Sequence, residues 1–129
     1  MFGEDRAMRI SPTKSTLNRK MPFTVHNDAP VVPPDMIRLL WSTTNRKTRS
    51  GKILGEEQKI SIYSALEAMT INAAFQHFED DIKGSIEVGK LADLVVLSKD
   101  PLGMPVDELL ELKIMATYSH GKEIFKNEK

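Results

Sequence analysis

Two titratable residues, His26 and Asp28, lie at the end of a short β-favouring segment near the start of the chain. Pro22–His26 is predicted to be a strand, and Asn27-Asp28-Ala29-Pro30 follows it. Polar residues at the carboxyl end of a strand are where α/β folds place their chemistry. Asp28 could therefore bind a metal or act as a general base, and His26 could be a ligand or orient one. The alternative is an Asx-type turn, because Asn, Asp and Pro are common in turns.

A second group of candidate residues lies in the basic loop Asn45–Lys52. Arg46 and Arg49 could contact a phosphate or a carboxylate, but a solvated surface loop is the favoured interpretation of such a cluster. His77 and His120 each stand alone in the sequence. A single histidine is weak evidence for a metal site, because a catalytic zinc takes about three protein ligands.

The composition excludes several classes of protein. The 129 residues fit one domain, and 18 basic residues balance 18 acidic ones, so no net charge favours nucleic acid or an anionic membrane as partner. The chain has no cysteine, which excludes disulfide scaffolds, cysteine-ligated metals and thiol nucleophiles. No apolar run approaches the roughly 20 residues that span a bilayer, and the opening residues show no signal-peptide pattern. We therefore expect a cytoplasmic protein.

Three helices have recognisable starts. Ser11 is predicted to cap a helix that has Pro12 as its first residue and ends between Asn18 and Lys20. Two more caps precede apolar residues at helical spacing: Asp35 before a helix that begins at Met36, and Ser61 before Ile62–Met69.

The chain ends in β-favouring segments. Lys83–Leu97 is predicted to be a buried hairpin, in which the apolar run Leu91–Leu97 is a strand buried on both faces. Lys113–Tyr118 and Glu123–Lys126 are predicted to pair through a tight turn at Gly121, since glycine readily takes a positive φ. The fold class is thus α/β, with a helical middle and an antiparallel close.

The segment Lys83–Leu97, which has the sequence KGSIEVGKLADLVVL, also resembles a signature of the metal-dependent amidohydrolase superfamily. Other segments resemble the branch of that superfamily that includes N-substituted formamide deformylases. They are Arg9–Pro12, Pro22–Pro30, Pro33–Asp35 and Asn45–Gly51.

This resemblance implies the C-terminal portion of a (β/α)8 barrel enzyme. Residues 1–80 would supply the last helix and strand of the barrel and the helices that follow. Residues 81–129 would supply the C-terminal strands of a small composite β-sandwich, rearranged or strand-exchanged in an oligomer if its partners are absent. Strands made to sit between neighbours would otherwise leave unpaired edges.

The resemblance also implies a chemistry for the complete enzyme. Asp28 matches the aspartate after the last barrel strand, which binds a divalent metal (zinc is expected) or accepts a proton from metal-bound water. His26, Arg46 and Arg49 would be possible contacts to a small amide-type or formamide-type substrate. No His-x-His pair is present, so we expect this chain alone to bind no metal and to be inactive.

Three functional interpretations follow from these observations. The chain is a C-terminal fragment of a hydrolase of non-peptide C–N bonds, or a subunit of a split amidohydrolase that another chain completes. The third interpretation is a non-catalytic remnant that oligomerises or binds. In each, we expect a homo-oligomer or a complementing N-terminal chain as partner, and neither nucleic acid nor membrane.

Overall fold

The computed structural model describes residues 3–128, which form a helical part followed by a small sheet. Within these residues, no helix is long and apolar enough to cross a membrane. The α-helices are α1 (Glu4–Ala7), α2 (Thr13–Asn18), α3 (Met36–Asn45), α4 (Ile62–Met69) and α5 (Ile71–Gln76). Short 3-10 helices cover Glu56–Gln58, Pro101–Gly103 and Val106–Glu111.

The sheet has three antiparallel strands in sequence order, β1 (Leu94–Leu97), β2 (Ile114–Ser119) and β3 (Lys122–Lys126). Its register irregularities lie after Val96 in β1 and after Thr117 in β2. Gly121 has a φ of 76° in the tight turn between β2 and β3, as the sequence predicted. The predicted closing strand pair is therefore confirmed.

A single cluster of buried apolar side chains joins the helices to the segment before β2. Its members are Leu40, Ile60, Ala65, Leu109 and Leu112. Leu40 comes from α3 and Ala65 from α4, while Leu109 lies in the 3-10 helix that packs against α3. This core fixes the position of α3, whose start and end lie beside the candidate residues.

Two of the three predicted helix caps are confirmed, and one is wrong. Asp35 Oδ1 accepts a hydrogen bond from Arg38 N at 3.0 Å, and Ser61 Oγ accepts one from Ser64 N at 3.1 Å. Ser11 makes no cap to α2, which begins at Thr13 and ends at Asn18. The backbone of Ser11 is instead in the left-handed region, with a φ of 50°. A Ser at N-cap needs an extended backbone to reach the free amides.

The strand predicted at Pro22–His26 is wrong for this chain. Residues 21–28 have no regular secondary structure, and side chains of α5 hold the segment instead. Asn72 Nδ2 donates to Phe23 O at 3.1 Å, and Thr24 Oγ1 donates to Gln76 Oε1 at 2.7 Å. A strand exists only when a neighbouring strand completes its ladder, and no described segment lies alongside this one as a strand.

The buried hairpin predicted at Lys83–Leu97 is also wrong. Only Leu94–Leu97 is a strand, and Val95 in it keeps 53% of its surface exposed. The preceding residues form a turn organised by Lys90, whose Nζ donates to Asp80 O at 2.5 Å and to Ser85 Oγ at 2.7 Å. A run of apolar residues predicts burial only if another layer covers it, and Leu94, Val95 and Val96 of β1 are all exposed.

Candidate functional site

Asp28 follows the segment Pro22–His26, at the start of a turn that leaves its side chain exposed. The residue is in the left-handed region with a φ of 55°, which Asp tolerates better than most residues. Its N–H donates to His26 Nδ1 at 3.1 Å, and its carbonyl oxygen accepts a hydrogen bond from Val31 N at 2.9 Å. Backbone atoms and the His26 ring therefore make the turn, and the carboxylate of Asp28 takes no part in it.

The side chains of His26 and Asp28 remain available for chemistry. Within residues 3–128, the Asp28 carboxylate has no hydrogen bond and no ion pair with a side chain. His26 Nδ1 accepts the Asp28 amide, so a neutral His26 carries its proton on Nε2 and can donate from there. An exposed carboxylate of this kind can bind a cation or accept a proton.

A cleft of about 570 Å³ opens beside His26, between residues 10–16, residues 23–26 and the second half of α3. Two of the four predicted site residues line it, His26 and Arg46. Asp28 is not part of its lining but follows His26 by two residues, and Arg49 lies outside it on an exposed turn. The structure thus brings His26 and Arg46 to one cleft and leaves Asp28 next to it.

The guanidinium group of Arg46 ties together the backbone segments around this cleft. Nε donates to Leu54 O at 2.6 Å, Nη1 to Ser11 O at 2.8 Å and Nη2 to Ile10 O at 2.5 Å. Burial lowers the pKa of Arg46 from its usual value, and the charge of Glu57 acts in the opposite direction. The favoured interpretation of a solvated loop is therefore wrong at Arg46 and correct at Arg49, which is exposed.

Sequence reasoning missed the other polar residues of the cleft. In the sequence, Lys47 belongs to the basic loop and Ser11 is a predicted helix cap, and both residues line the cleft. Thr43 lies in the last turn of α3, also on the lining, and had no signal of its own. The basic pair Arg46-Lys47 was the one sequence feature that could have pointed to this place.

The described residues do not by themselves assemble a metal centre. Among residues 3–128, no three His, Cys, Asp or Glu side chains are grouped so that they could hold an ion. His120 is in the turn between β2 and β3, where its backbone N–H donates to Asp93 Oδ1 at 2.8 Å. His77 follows the end of α5. A catalytic zinc takes about three protein ligands, and the described residues bring no such set together around Asp28.

We predict that Arg46→Lys lowers the free energy of unfolding by about 2–3 kcal/mol, because lysine keeps the charge but cannot make three hydrogen bonds in a fixed fork. Urea unfolding followed by circular dichroism measures the change. Arg49→Lys is the matched control on the same loop and is expected to change stability by less than about 0.5 kcal/mol. Equal effects of the two substitutions would contradict the role given to Arg46.

Comparison with known proteins decides the family. The sequence profile described as "Amidohydrolase family" matches residues 1–125. The chain belongs to the amidohydrolase family. It is 31% identical over 114 residues to the N-substituted formamide deformylase of Arthrobacter pascens, covering 88% of this chain and 21% of that protein. It is also 26% identical over 128 residues to the putative amidohydrolase YtcJ of Bacillus subtilis, covering 97% of this chain and 24% of that protein.

The fold agrees with this assignment. An amidohydrolase from Thermotoga maritima superposes with a TM-score of 0.66 at 24% identity, over 90% of this chain and 26% of that one. E. coli guanine deaminase gives 0.63 at 22% identity, over 89% of this chain and 30% of that one. The chain thus spans about a fifth to a quarter of the length of the curated relatives it matches. This share agrees with the predicted C-terminal portion of an amidohydrolase.

Proposed function

We propose that this chain is the C-terminal part of a metal-dependent hydrolase that acts on non-peptide C–N bonds of amide or formamide type. The observation that carries the proposal is the exposed carboxylate of Asp28, which a fixed backbone turn presents and to which no described side chain binds. A carboxylate that the fold leaves unpaired is suited to a cation or to a proton acceptor role. The family membership gives the class of reaction.

The proposed architecture follows the two parts of the chain. Residues 1–80 correspond to the end of the barrel, in which Pro22–His26 would become the last strand when neighbours complete its ladder. Residues 81–129 correspond to the C-terminal strands of the sandwich. The hydrogen bonds by which Asn72 and Gln76 of α5 hold Phe23 and Thr24 against the helix support the first correspondence. The three-stranded antiparallel sheet supports the second.

In the complete enzyme, Asp28 is the residue of this chain that would hold a divalent metal, with zinc expected. Such a metal lowers the pKa of bound water and polarises a carbonyl group. Asp28 itself would bind the ion or accept the proton of the attacking water. His26 fixes the amide of Asp28 through Nδ1 and can donate from Nε2 to a substrate oxygen.

The two edges of the sheet differ in charge, and this difference supports a partner polypeptide at one of them. The two edge strands of the sheet are β1 and β3. Strand β3 carries charges at Lys122, Glu123 and Lys126, which disfavour pairing with another strand, whereas β1 has the uncharged sequence Leu-Val-Val-Leu. Ile86 and Val88, just before β1, are 90% and 108% exposed. These features support a complementing N-terminal chain at the β1 edge, and they equally favour the second candidate function, a binding or oligomerising remnant.

Reconstitution tests the proposal. This chain is co-expressed with a polypeptide carrying the part of the Arthrobacter pascens deformylase that the chain does not match, and we refer to the product as the complemented enzyme. We expect the two chains to co-purify with zinc and to release amine from an N-substituted formamide, while each chain alone is inactive. Co-purification without metal or turnover would contradict the hydrolase proposal and support the binding remnant.

A further inference from the structure

Helix α5 holds the segment that leads to Asp28 through two of its side chains. Asn72 Nδ2 donates a hydrogen bond to the backbone oxygen of Phe23 at 3.1 Å. Gln76 Oε1 accepts a hydrogen bond from Thr24 Oγ1 at 2.7 Å. Because Asn72 and Gln76 are four residues apart, they lie on the same face of the helix. The helix therefore holds two consecutive residues of the segment, one by its backbone and one by its side chain.

Further hydrogen bonds connect this segment to the turn at Asp28. His26 Nδ1 accepts a hydrogen bond from the backbone N–H of Asp28, and Asp28 O accepts one from Val31 N. Only Val25 separates Thr24, which α5 holds, from His26. Each intervening residue has only two freely rotating backbone dihedrals. A displacement of the segment on α5 is therefore expected to move the turn that presents the Asp28 carboxylate.

The contact between α5 and Phe23 is compatible with the proposed barrel. Asn72 and Phe23 both belong to this chain and are partly buried, so their hydrogen bond needs no other polypeptide. A carbonyl oxygen has two lone pairs, and Phe23 O can accept a bond from Asn72 and another from a neighbouring strand. Over 90% of this chain, the same fold occurs within the longer amidohydrolase chain of Thermotoga maritima.

The turn of the signature segment packs closely against α5. A Cβ atom added to Gly84 would lie 2.8 Å from Ala74 Cβ and 3.0 Å from Ile71 Cα, and both residues belong to α5. Glycine permits this approach because it has no Cβ atom. Lys90 closes the same turn through its two hydrogen bonds. The segment that resembles the family signature therefore also fixes the helix that carries Asn72.

We propose that Asn72 is a positioning residue that acts through Asp28, and that the packing of Gly84 on α5 keeps Asn72 in place. Asn72 would contact neither substrate nor metal. Its effect on the reaction rests on the proposed hydrolase function, whereas its effect on the structure of the Asp28 turn does not.

Amide hydrogen exchange of the isotope-labelled chain, followed by NMR, tests the structural part. Asn72→Asp keeps the shape of the side chain but removes the donor, and a carboxylate in the first turn of α5 suits the helix dipole. We expect it to raise the exchange rates of the Asp28 and Val31 amides at least about threefold through local opening of the turn. Gln76→Glu is the matched control, because a carboxylate still accepts a hydrogen bond from Thr24 and should leave both rates unchanged.

Gly84→Ala tests the packing of the signature turn on α5 in the same experiment. We expect it to raise the exchange rate of the Asp28 amide as Asn72→Asp does, because the added Cβ would push the turn away from the helix. Gly89→Ala is its control. Gly89 also has a positive φ, but an added Cβ there would meet no atom of the described residues within 4 Å. Unchanged exchange at Asp28 in Gly84→Ala, or equal changes in the two variants, would overturn the role of Gly84.

A double-mutant cycle in the complemented enzyme tests whether Asn72 acts through Asp28. Asn72→Asp is expected to lower kcat/KM about tenfold alone but less than about twofold in the Asp28→Asn background, because the residue that it positions has already lost its function. A merely structural role would lower kcat/KM equally in both backgrounds, and that result would overturn the proposal.

The two experiments separate this inference from the proposed function. Exchange rates at Asp28 and Val31 that do not respond to Asn72→Asp would overturn the positioning role, whatever the activity. Rates that do respond, together with an inactive complemented enzyme, would support the positioning of the turn and contradict the hydrolase proposal.

Discussion

Asp28→Asn is expected to lower kcat/KM of the complemented enzyme for an N-substituted formamide about a thousandfold, within the range that a positioned base or metal ligand contributes. The amide side chain has nearly the same shape but cannot accept a proton and binds cations more weakly. Asn also tolerates the left-handed backbone that residue 28 adopts, with its φ of 55°. The substitution therefore changes the chemistry of the site and leaves the turn intact.

Asp81→Asn is the matched control, since Asp81 is also exposed and, within the described residues, its carboxylate has no side-chain partner. It should keep activity within about twofold. Zinc content of each purified variant separates loss of a ligand from loss of a proton acceptor. Asp28→Asn with undiminished kcat/KM would show that Asp28 takes no part in the reaction.

Gly55→Ala is expected to lower the free energy of unfolding by about 3 kcal/mol or more. A Cβ atom at this position would lie 2.2 Å from the carbonyl oxygen of Met8, a backbone atom that cannot rotate away. Gly55 also has a φ of 61°, which disfavours residues with a Cβ. The substitution would push the N-terminal segment away from the loop to which Arg46 attaches it.

Gly51→Ala separates the cost of the steric clash from the cost of the positive φ. Gly51 has a φ of 84°, but an added Cβ there would have nothing within 4 Å. Only the cost of the positive φ remains, so the free energy of unfolding measured with urea is expected to fall by about 1–2 kcal/mol. If both substitutions lower the free energy of unfolding equally, the close approach of Met8 to Gly55 does not explain the loss of stability in Gly55→Ala.

Features that depend on neighbours in sequence could be predicted well. Asp35 and Ser61 cap their helices because the side chain reaches an amide three residues later. The turn at Gly121 requires only a local positive φ. The signature from Lys83 to Leu97 identified the family, which the profile match confirms, although its predicted buried hairpin is wrong.

The sequence by itself thus determined the family, helices α3 and α4 with their caps and the closing strand pair, and it singled out Asp28 and His26. Only the tertiary structure decided that Pro22–His26 is not a strand and that Arg46 turns inward. The physical reason is the same in both cases, since the deciding partners are distant in sequence. A strand needs a neighbour that residues 3–128 do not supply, while Arg46 finds carbonyl acceptors 35 and 36 residues away. Residue types indicate what a group can bind, and the fold decides which group it meets.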